Sequence, residues 1–263
     1  MNYSTQKFFA IKIAKESGKI LLKYFKQVDK LKTSKKSKHE IVTPADLAVN
    51  ENFIKKALQN FPAYGILSEE TERLGGEAEY YWIIDPLDGT TNFSLGNPFF
   101  NTSIALVHKN EVVLGVTYAP FLKQLFVAEK DRGAILNGKK IKVSKECNLS
   151  DTIVNYGYSY HDQVNKKFMK VYEHMMMDLQ NSRNMGAAAL ELAWVAMGRL
   201  EVYVLFGLKI WDVAAGTLLV SEAGGQITDF ANQDFNLEAT TLLASNKILH
   251  KKLLNIIAPL PKK

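Results

Sequence analysis

Apolar residues recur at helical spacing from the first turns of the chain. Phe9, Ile13, Ile20, Leu21 and Tyr24 share one face of a helix predicted over roughly 4–27. The next stretch, VDKLKTSKKSKHE, has no periodicity and reads as a loop. A second helix opens at Thr43-Pro44-Ala45-Asp46. Thr43 suits the N-cap, Pro44 the first helical position, and Asp46 the acid of a capping box. Its buried face is Val49, Phe53, Ala57 and Leu58. The middle of the chain then changes character. Tyr64–Leu67, Tyr80–Ile84, Thr102–Val107, Val112–Tyr118 and Gln124–Ala128 are short β-branched and aromatic runs bounded by Gly, Pro or Asn. Asn137-Gly138, between AIL and KKIKV, signals a hairpin.

From about residue 150 strands and helices alternate. Strands are predicted near 152–156, 201–205, 225–228 and 241–245, and helices near 163–179, 186–198, 211–223 and 246–257. The pattern is thus α+β followed by α/β. A soft boundary at SKECNLSD divides an N-terminal half, 1–147, from a C-terminal half, 148–263, within one compact unit. No repeat or low-complexity linker is visible.

The 263 residues suffice for a sizeable buried core, and 47% hydrophobic with 23% charged residues is ordinary for a globular chain. No apolar run approaches the ~18 residues of a membrane helix. FFAIKIAKESGK lacks a signal core, and the single cysteine, Cys147, cannot form an internal disulfide; a cytoplasmic location is expected. The net charge of +6 is unevenly placed. Residues 1–40 hold eleven lysines against Glu16, Asp29 and Glu40, so the rest of the chain is slightly acidic. A solvated lysine face explains this most simply; attraction of an anionic substrate or of nucleic acid is the sharper alternative. Clustered arginines and interleaved aromatics, which nucleic-acid binding would favour, are missing.

Three segments set acids beside tight turns. The first is Gly65-Ile66-Leu67-Ser68-Glu69-Glu70. The second, Trp82-Ile83-Ile84-Asp85-Pro86-Leu87-Asp88-Gly89-Thr90-Thr91-Asn92-Phe93, reads as an apolar strand, a proline-led turn and a Gly-Thr-Thr. The third is Ile210-Trp211-Asp212-Val213-Ala214-Ala215-Gly216. Taken singly, Glu69 reads as a loop acid, Asp212 as a helix N-terminal acid and Asp46 as a cap. Asp85 and Asp88 are different, because two buried charges held together by Pro86 are costly unless a cation joins them. All-oxygen ligands suit Mg2+ and not Zn2+, and the five histidines show no metal spacing. Gly89-Thr90-Thr91 offers backbone N–H groups and hydroxyls to a phosphate. The combination points to metal-assisted phosphoryl transfer to water, and no P-loop motif is present.

The pair EE, then DPLDGTTNF and GNPFFNTSIAL, and about 120 residues beyond the second acid motif WDVAAGTLLVSEAGG, resemble the inositol monophosphatase family of Mg2+-dependent, lithium-sensitive phosphatases. The resemblance runs from about residue 8 to 250. It implies a layered α-β-α-β-α sandwich and a homodimer. It also implies two or three Mg2+ ions. Glu69, Asp85 and the Leu87 carbonyl match one metal site; Asp85, Asp88 and Asp212 match a second; Glu69 matches a third through water. Gly89 and Thr90 match the phosphate-binding backbone, and Asp212 and Ala188 also match substrate-binding positions. Thr90 and Asp46 match the pair that activates the attacking water, Glu69 being catalytic with them, in a direct in-line displacement. Lys35 or Lys36 corresponds to a loop that closes near the third metal.

The resemblance implies a small polyol or sugar phosphate as substrate, inositol-1-phosphate in the first instance. Inositol-selective members carry Glu two residues before the Gly of the segment preceding WD; here Tyr203-Val204-Leu205-Phe206-Gly207 places Leu205 there. Fructose-1,6-bisphosphatase or histidinol phosphatase activity therefore stays open, while the SSLKF pattern of 3′-phosphoadenosine phosphatases is missing. One bacterial branch of the family associates with the transcription machinery, so a regulatory RNA- or transcription-binding protein is the alternative from another class. Met175-Met176-Met177 reads as core or dimer packing, Trp82 and Trp211 as structural walls, and Cys147 as inert.

Overall fold

A computed structural model describes residues 2–257 apart from 32, 36, 38, 39, 77 and 159–161. In chain order the elements are α1 (Ser4–Phe25), β1 (Ser34–Lys35), β2 (Ile41–Val42), α2 (Pro44–Asn60), β3 (Gly65–Ser68), β4 (Thr71–Leu74) and β5 (Tyr80–Asp88). Next come α3 (Thr90–Ser94), β6 (Asn101–His108), β7 (Glu111–Ala119), β8 (Gln124–Glu129), β9 (Gly133–Leu136) and β10 (Lys139–Lys140). The remainder is β11 (Ile153–Gly157), α4 (Asp162–Asp178), β12 (Asn181–Arg183), α5 (Ala188–Ala196), β13 (Val202–Phe206), α6 (Ile210–Glu222), β14 (Gly225–Thr228), β15 (Thr241–Asn246) and α7 (Lys247–Ile257).

Two sheets carry the architecture. An eight-stranded sheet runs β10-β9-β8-β7-β6-β5-β3-β4, and a five-stranded sheet runs β12-β11-β13-β15-β14. The side-chain period of two decides which layer each residue joins. On β5 and β6, Trp82, Ile84, Ile104 and Leu106 face α1 and α2, whereas Ile83, Ala105 and Val107 face Ala214 and Ala215 of α6. On β13, Tyr203 and Leu205 face α5 and α6, and Val202, Val204 and Phe206 face α4 and α7. The order is α1/α2, first sheet, α5/α6, second sheet, α4/α7. This is the α-β-α-β-α sandwich.

The predicted second helix is capped as its sequence demands. The Thr43 hydroxyl accepts from Ala45 N–H at 3.1 Å, and Asp46 Oδ2 accepts from Thr43 N–H at 2.9 Å. Asn137 and Gly138 both take positive φ, 49° and 83°, in the β9–β10 hairpin. Two readings need correction, the basic loop and the Pro86 turn, and one strand has no counterpart in the sequence reading. The basic loop after α1 contains a short 3-10 turn, Val28–Lys30, and β1, which pairs with β2 just beyond the loop. The polar run Thr71–Leu74 is a strand, since an edge position needs one partner and no apolar face. Pro86 does not lead a turn. It lies inside β5, where Asp85 pairs with Ser103 and Asp88 with Asn101, so an extra residue bulges from the strand between the two aspartates.

Buried His250 joins the second sheet's last two strands: its ring nitrogens lie 3.0 Å from the hydroxyls of Ser245 and Thr228. Burial pushes its pKa down to about 4. The unfolded chain therefore binds the extra proton first, near pH 6.5, and the histidine's contribution is present above that value and lost as pH falls towards 4. Denaturant titrations should show on the order of 3 kcal/mol lost across this window. The loss should be smaller in His250→Gln; an equal loss in both proteins would refute the assignment.

Candidate active site

The first sheet delivers its acids at one end of β5 and β3. The apolar run Tyr80–Ile84 is paired on both sides, parallel to β3 and antiparallel to β6, which anchors the acidic segment beyond it. There the bulge turns Asp85 and Asp88 into one buried region. Leu87 N–H donates to Asp85 Oδ1 at 3.0 Å, fixing that carboxylate against the strand. Asp88 is held by three donors: Asn101 Nδ2 at 2.6 Å and the Ala188 and Ala189 N–H groups at 3.0 and 2.9 Å. Because α5 has Ala187 as its N-cap, it has no capping side chain of its own. Asp88, a hundred residues earlier in the chain, accepts from its first two N–H groups instead.

Asp46 divides its work. One oxygen caps α2, and the other lies 3.2 Å from the Thr90 hydroxyl, which also donates to the Leu87 carbonyl at 2.8 Å. The capping and functional readings of Asp46 are thus compatible. Gly89, between Asp88 and Thr90, has φ of 87° and ψ of 35°. A Cβ there would lie 2.9 Å from the Phe99 carbonyl oxygen. Asn92 ties the short α3 to the segment before α5, donating to the carbonyls of Phe99 and Met185 at 2.9 and 2.7 Å.

The acids disfavour one another's ionisation. Burial raises the pKa of Asp85 well above the carboxylate range, and Glu69, Asp88, Asp212 and Asp46 raise it further. Asp88 is pushed up to about 6 by burial, with its hydrogen bonds from Asn101 and the α5 backbone opposing. Half-buried Asp212, at the start of α6, is raised well above its usual value by desolvation and then by Asp88 and Glu69. Asp46 is raised by burial despite its bonds from Thr43. Glu69, whose N–H donates to the Ile84 carbonyl, stands at the end of β3 within this field.

Asp46, Glu69, Asp85, Leu87, Asp88, Gly89, Thr90, Ala188 and Asp212, all predicted from sequence, fall in this region. Exposed Lys35 lies on β1, and Lys36 is outside the described residues. Leu205 is buried in the apolar cluster around α5, beside Tyr203 and Leu242. Asn101, Asn92 and Glu191 are absent from the sequence prediction. The two asparagines stand inside GNPFFNTSIAL and DPLDGTTNF, but nothing in sequence spacing reveals which buried acceptors they reach.

Residues 2–261 match the model of the inositol monophosphatase family. The chain belongs to that family. Inositol monophosphatase family members are phosphoric monoester hydrolases, and this chain is one. It is 36% identical over 252 residues to "Nus factor SuhB" of Pasteurella multocida, covering 95% of this chain and 94% of that one. It is 34% identical over 249 residues to inositol-1-monophosphatase of Mesorhizobium japonicum, covering 94% of each. Among solved structures, the Bartonella henselae extragenic suppressor protein suhB superimposes with a TM-score of 0.92 at 33% identity, over 97% of this chain and 98% of that one. The Thermotoga maritima inositol monophosphatase gives 0.87 at 33%, with the same coverage.

Family members are generally Mg2+-dependent, and the donor set can be tested for that ion. No three His, Cys, Asp or Glu side chains among the described residues are gathered tightly enough to chelate a metal alone. Mg2+ does not require this, since it keeps several waters and takes one or two carboxylates. The oxygen donors, the Leu87 carbonyl and the mutually raised acids fit a hard cation. No helix among the described residues is long and apolar enough to cross a membrane.

Proposed function

We propose that the chain is a Mg2+-dependent phosphomonoesterase of small polyol or sugar phosphates, broad in specificity and acting as a homodimer. The observation that carries this reading is the buried acid cluster with Thr90 held between Asp46 and the Leu87 carbonyl. Glu69, Asp85, Asp88, Asp212 and the Leu87 carbonyl would hold two or three ions. Bound there, Mg2+ supplies Lewis-acid polarisation of the phosphate and of the attacking water. The chain's own residues do the rest. Thr90 orients the water and accepts its proton as its own passes to Asp46, whose raised proton affinity suits a base. The water oxygen bonds to phosphorus as the ester P–O bond breaks in line, and the leaving alkoxide takes a proton from solvent. Gly89 and Thr90 N–H groups, with Ala188 opposite, frame the phosphate.

Leu205 supports the breadth of specificity. An aliphatic side chain offers no acceptor to a substrate hydroxyl, and a site without that acceptor loses its discrimination. Phosphate release should therefore be Mg2+-dependent and lithium-inhibited. Inositol-1-phosphate, glycerol-2-phosphate and fructose-1,6-bisphosphate should be turned over at comparable kcat/KM, and release should be lost in Asp88→Asn. A strong preference for inositol-1-phosphate or histidinol phosphate would overturn the breadth. Silence on every substrate would overturn the proposed polyol- and sugar-phosphate activity.

One finding favours a second role beside catalysis. Relatives at 36% and 37% identity carry the name Nus factor SuhB, and exposed Lys12, Lys15, Lys19 and Lys23 recur along α1 at helical spacing. Such a stripe suits RNA phosphates, with an affinity that falls steeply with salt.

A further inference from the structure

Glu191 is a carboxylate that the proposed chemistry does not use. It is 1% exposed, on the first turn of α5. Its three partners are all donors. Oε1 accepts from Asn155 Nδ2 at 3.0 Å and Met185 N–H at 3.2 Å; Oε2 accepts from Ala187 N–H at 3.2 Å. An acid in a helix's first turn normally caps that helix. Here the donors lie on the approach to α5 and on β11, so the carboxylate ties the incoming segment to the second sheet. The next two residues, Ala188 and Ala189, are the ones whose N–H groups hold Asp88. Asn92 pulls on the same segment from α3 through the Met185 carbonyl. One segment is therefore fixed from both sides of the site, with Asp88 at its centre.

We propose that Glu191 is a positioning residue: by anchoring residues 185–187 it sets the α5 N–H groups that orient Asp88 towards the ligand. The ligand half of this proposal rests on the Mg2+ reading; the grip on Asp88 does not. Burial pushes the Glu191 pKa up to about 8, against the pull of its donors, so the fold sustains an unfavourable buried acid at this point. A side chain wanted only for packing would be apolar here.

Above pH 8, where Glu191 is ionised and both of its oxygens accept, Glu191→Gln keeps the length and one accepting oxygen but turns an N–H2 towards Ala187 N–H. In the metal-free protein, hydrogen exchange at Ala188 and Ala189 should accelerate about tenfold while the strands of both sheets stay protected. Titration calorimetry with Mg2+ alone should show affinity weakened roughly 10- to 100-fold, the range for losing a group that orients a metal ligand. Should this variant fail to fold, Asn155→Ala keeps the carboxylate, removes one donor, and should give smaller changes of the same sign. Unchanged exchange at Ala188 and Ala189 in a folded variant overturns the proposal. So does faster exchange with unaltered Mg2+ affinity. A wild-type protein that neither binds Mg2+ nor releases phosphate would overturn the proposed function, and amide exchange would still decide whether Glu191 governs Asp88.

Discussion

Asp85→Asn should lower phosphatase turnover by more than ~100-fold, beyond what losing an outer-shell partner costs, and at the same time raise the melting temperature of the metal-free protein. The two signs share one cause. Asp85 sits where desolvation and the charges of Glu69, Asp88, Asp212 and Asp46 all disfavour its ionised form. Asparagine removes the charge and keeps an oxygen for the Leu87 N–H bond, so the bulge keeps its local anchor. Relief of on the order of 1 kcal/mol would move the midpoint of a protein this size by about 2–4 °C. Added Mg2+ should reverse the order. It stabilises the wild type by binding the folded state only, and should leave the variant almost unmoved. Calorimetric melts of both proteins, with and without Mg2+, together with kcat, test both signs and their common origin. An equal Mg2+ response in the two proteins would show that Asp85 is no ligand, whatever the activity.

Much of this arrangement is legible in the chain because the relevant signals are local. Helical spacing in α1, the Thr43-Pro44-Ala45-Asp46 cap and the β-branched runs of the first sheet each depend on neighbours within a few residues. The same holds for Asp85 and Asp88, whose proximity is set by the short Pro86-Leu87 link. The features that escape a sequence reading depend on distance. Pro86 reads as a turn in isolation, and only pairing with Ser103 and Asn101 of β6 keeps it inside a strand. The edge strand Thr71–Leu74 carries no apolar alternation, since half-exposed and exposed residues suffice there. Glu191 looks like a helix-terminal acid, and its meaning appears only when Asn155, thirty-six residues earlier, reaches its carboxylate. Resemblance to pocket residues puts Ala188 in the site, yet it is its N–H, not its side chain, that contacts Asp88. A backbone donor has no letter of its own in a sequence.

Gly89→Ala should damage both stability and turnover through a single added carbon. With φ of 87° the residue lies in the left-handed region, which costs an L side chain ~1–2 kcal/mol before any contact is considered. The added Cβ would stand 2.9 Å from the Phe99 carbonyl oxygen and 3.1 Å from Ala187 Cβ. The first of these is backbone held by Asn92, and the second is the N-cap of α5, so neither yields cheaply. Overpacking of this kind adds about 1–3 kcal/mol. The strain has three outlets, and all disturb the site. Moving Phe99 loosens β6 beside Asn101; moving Ala187 disturbs the N–H groups on Asp88; moving residue 89 itself displaces Thr90 from Asp46. A shift of about 1 Å in any of them can cost ~100-fold in rate. The variant should therefore melt several degrees lower and lose at least that factor in kcat, with KM for a small phosphate ester also raised. Retention of kcat within about fivefold, a loss of only ~1 kcal/mol in the barrier, would mean that the turn after Asp88 tolerates rearrangement and that Thr90 is not held where the reaction needs it.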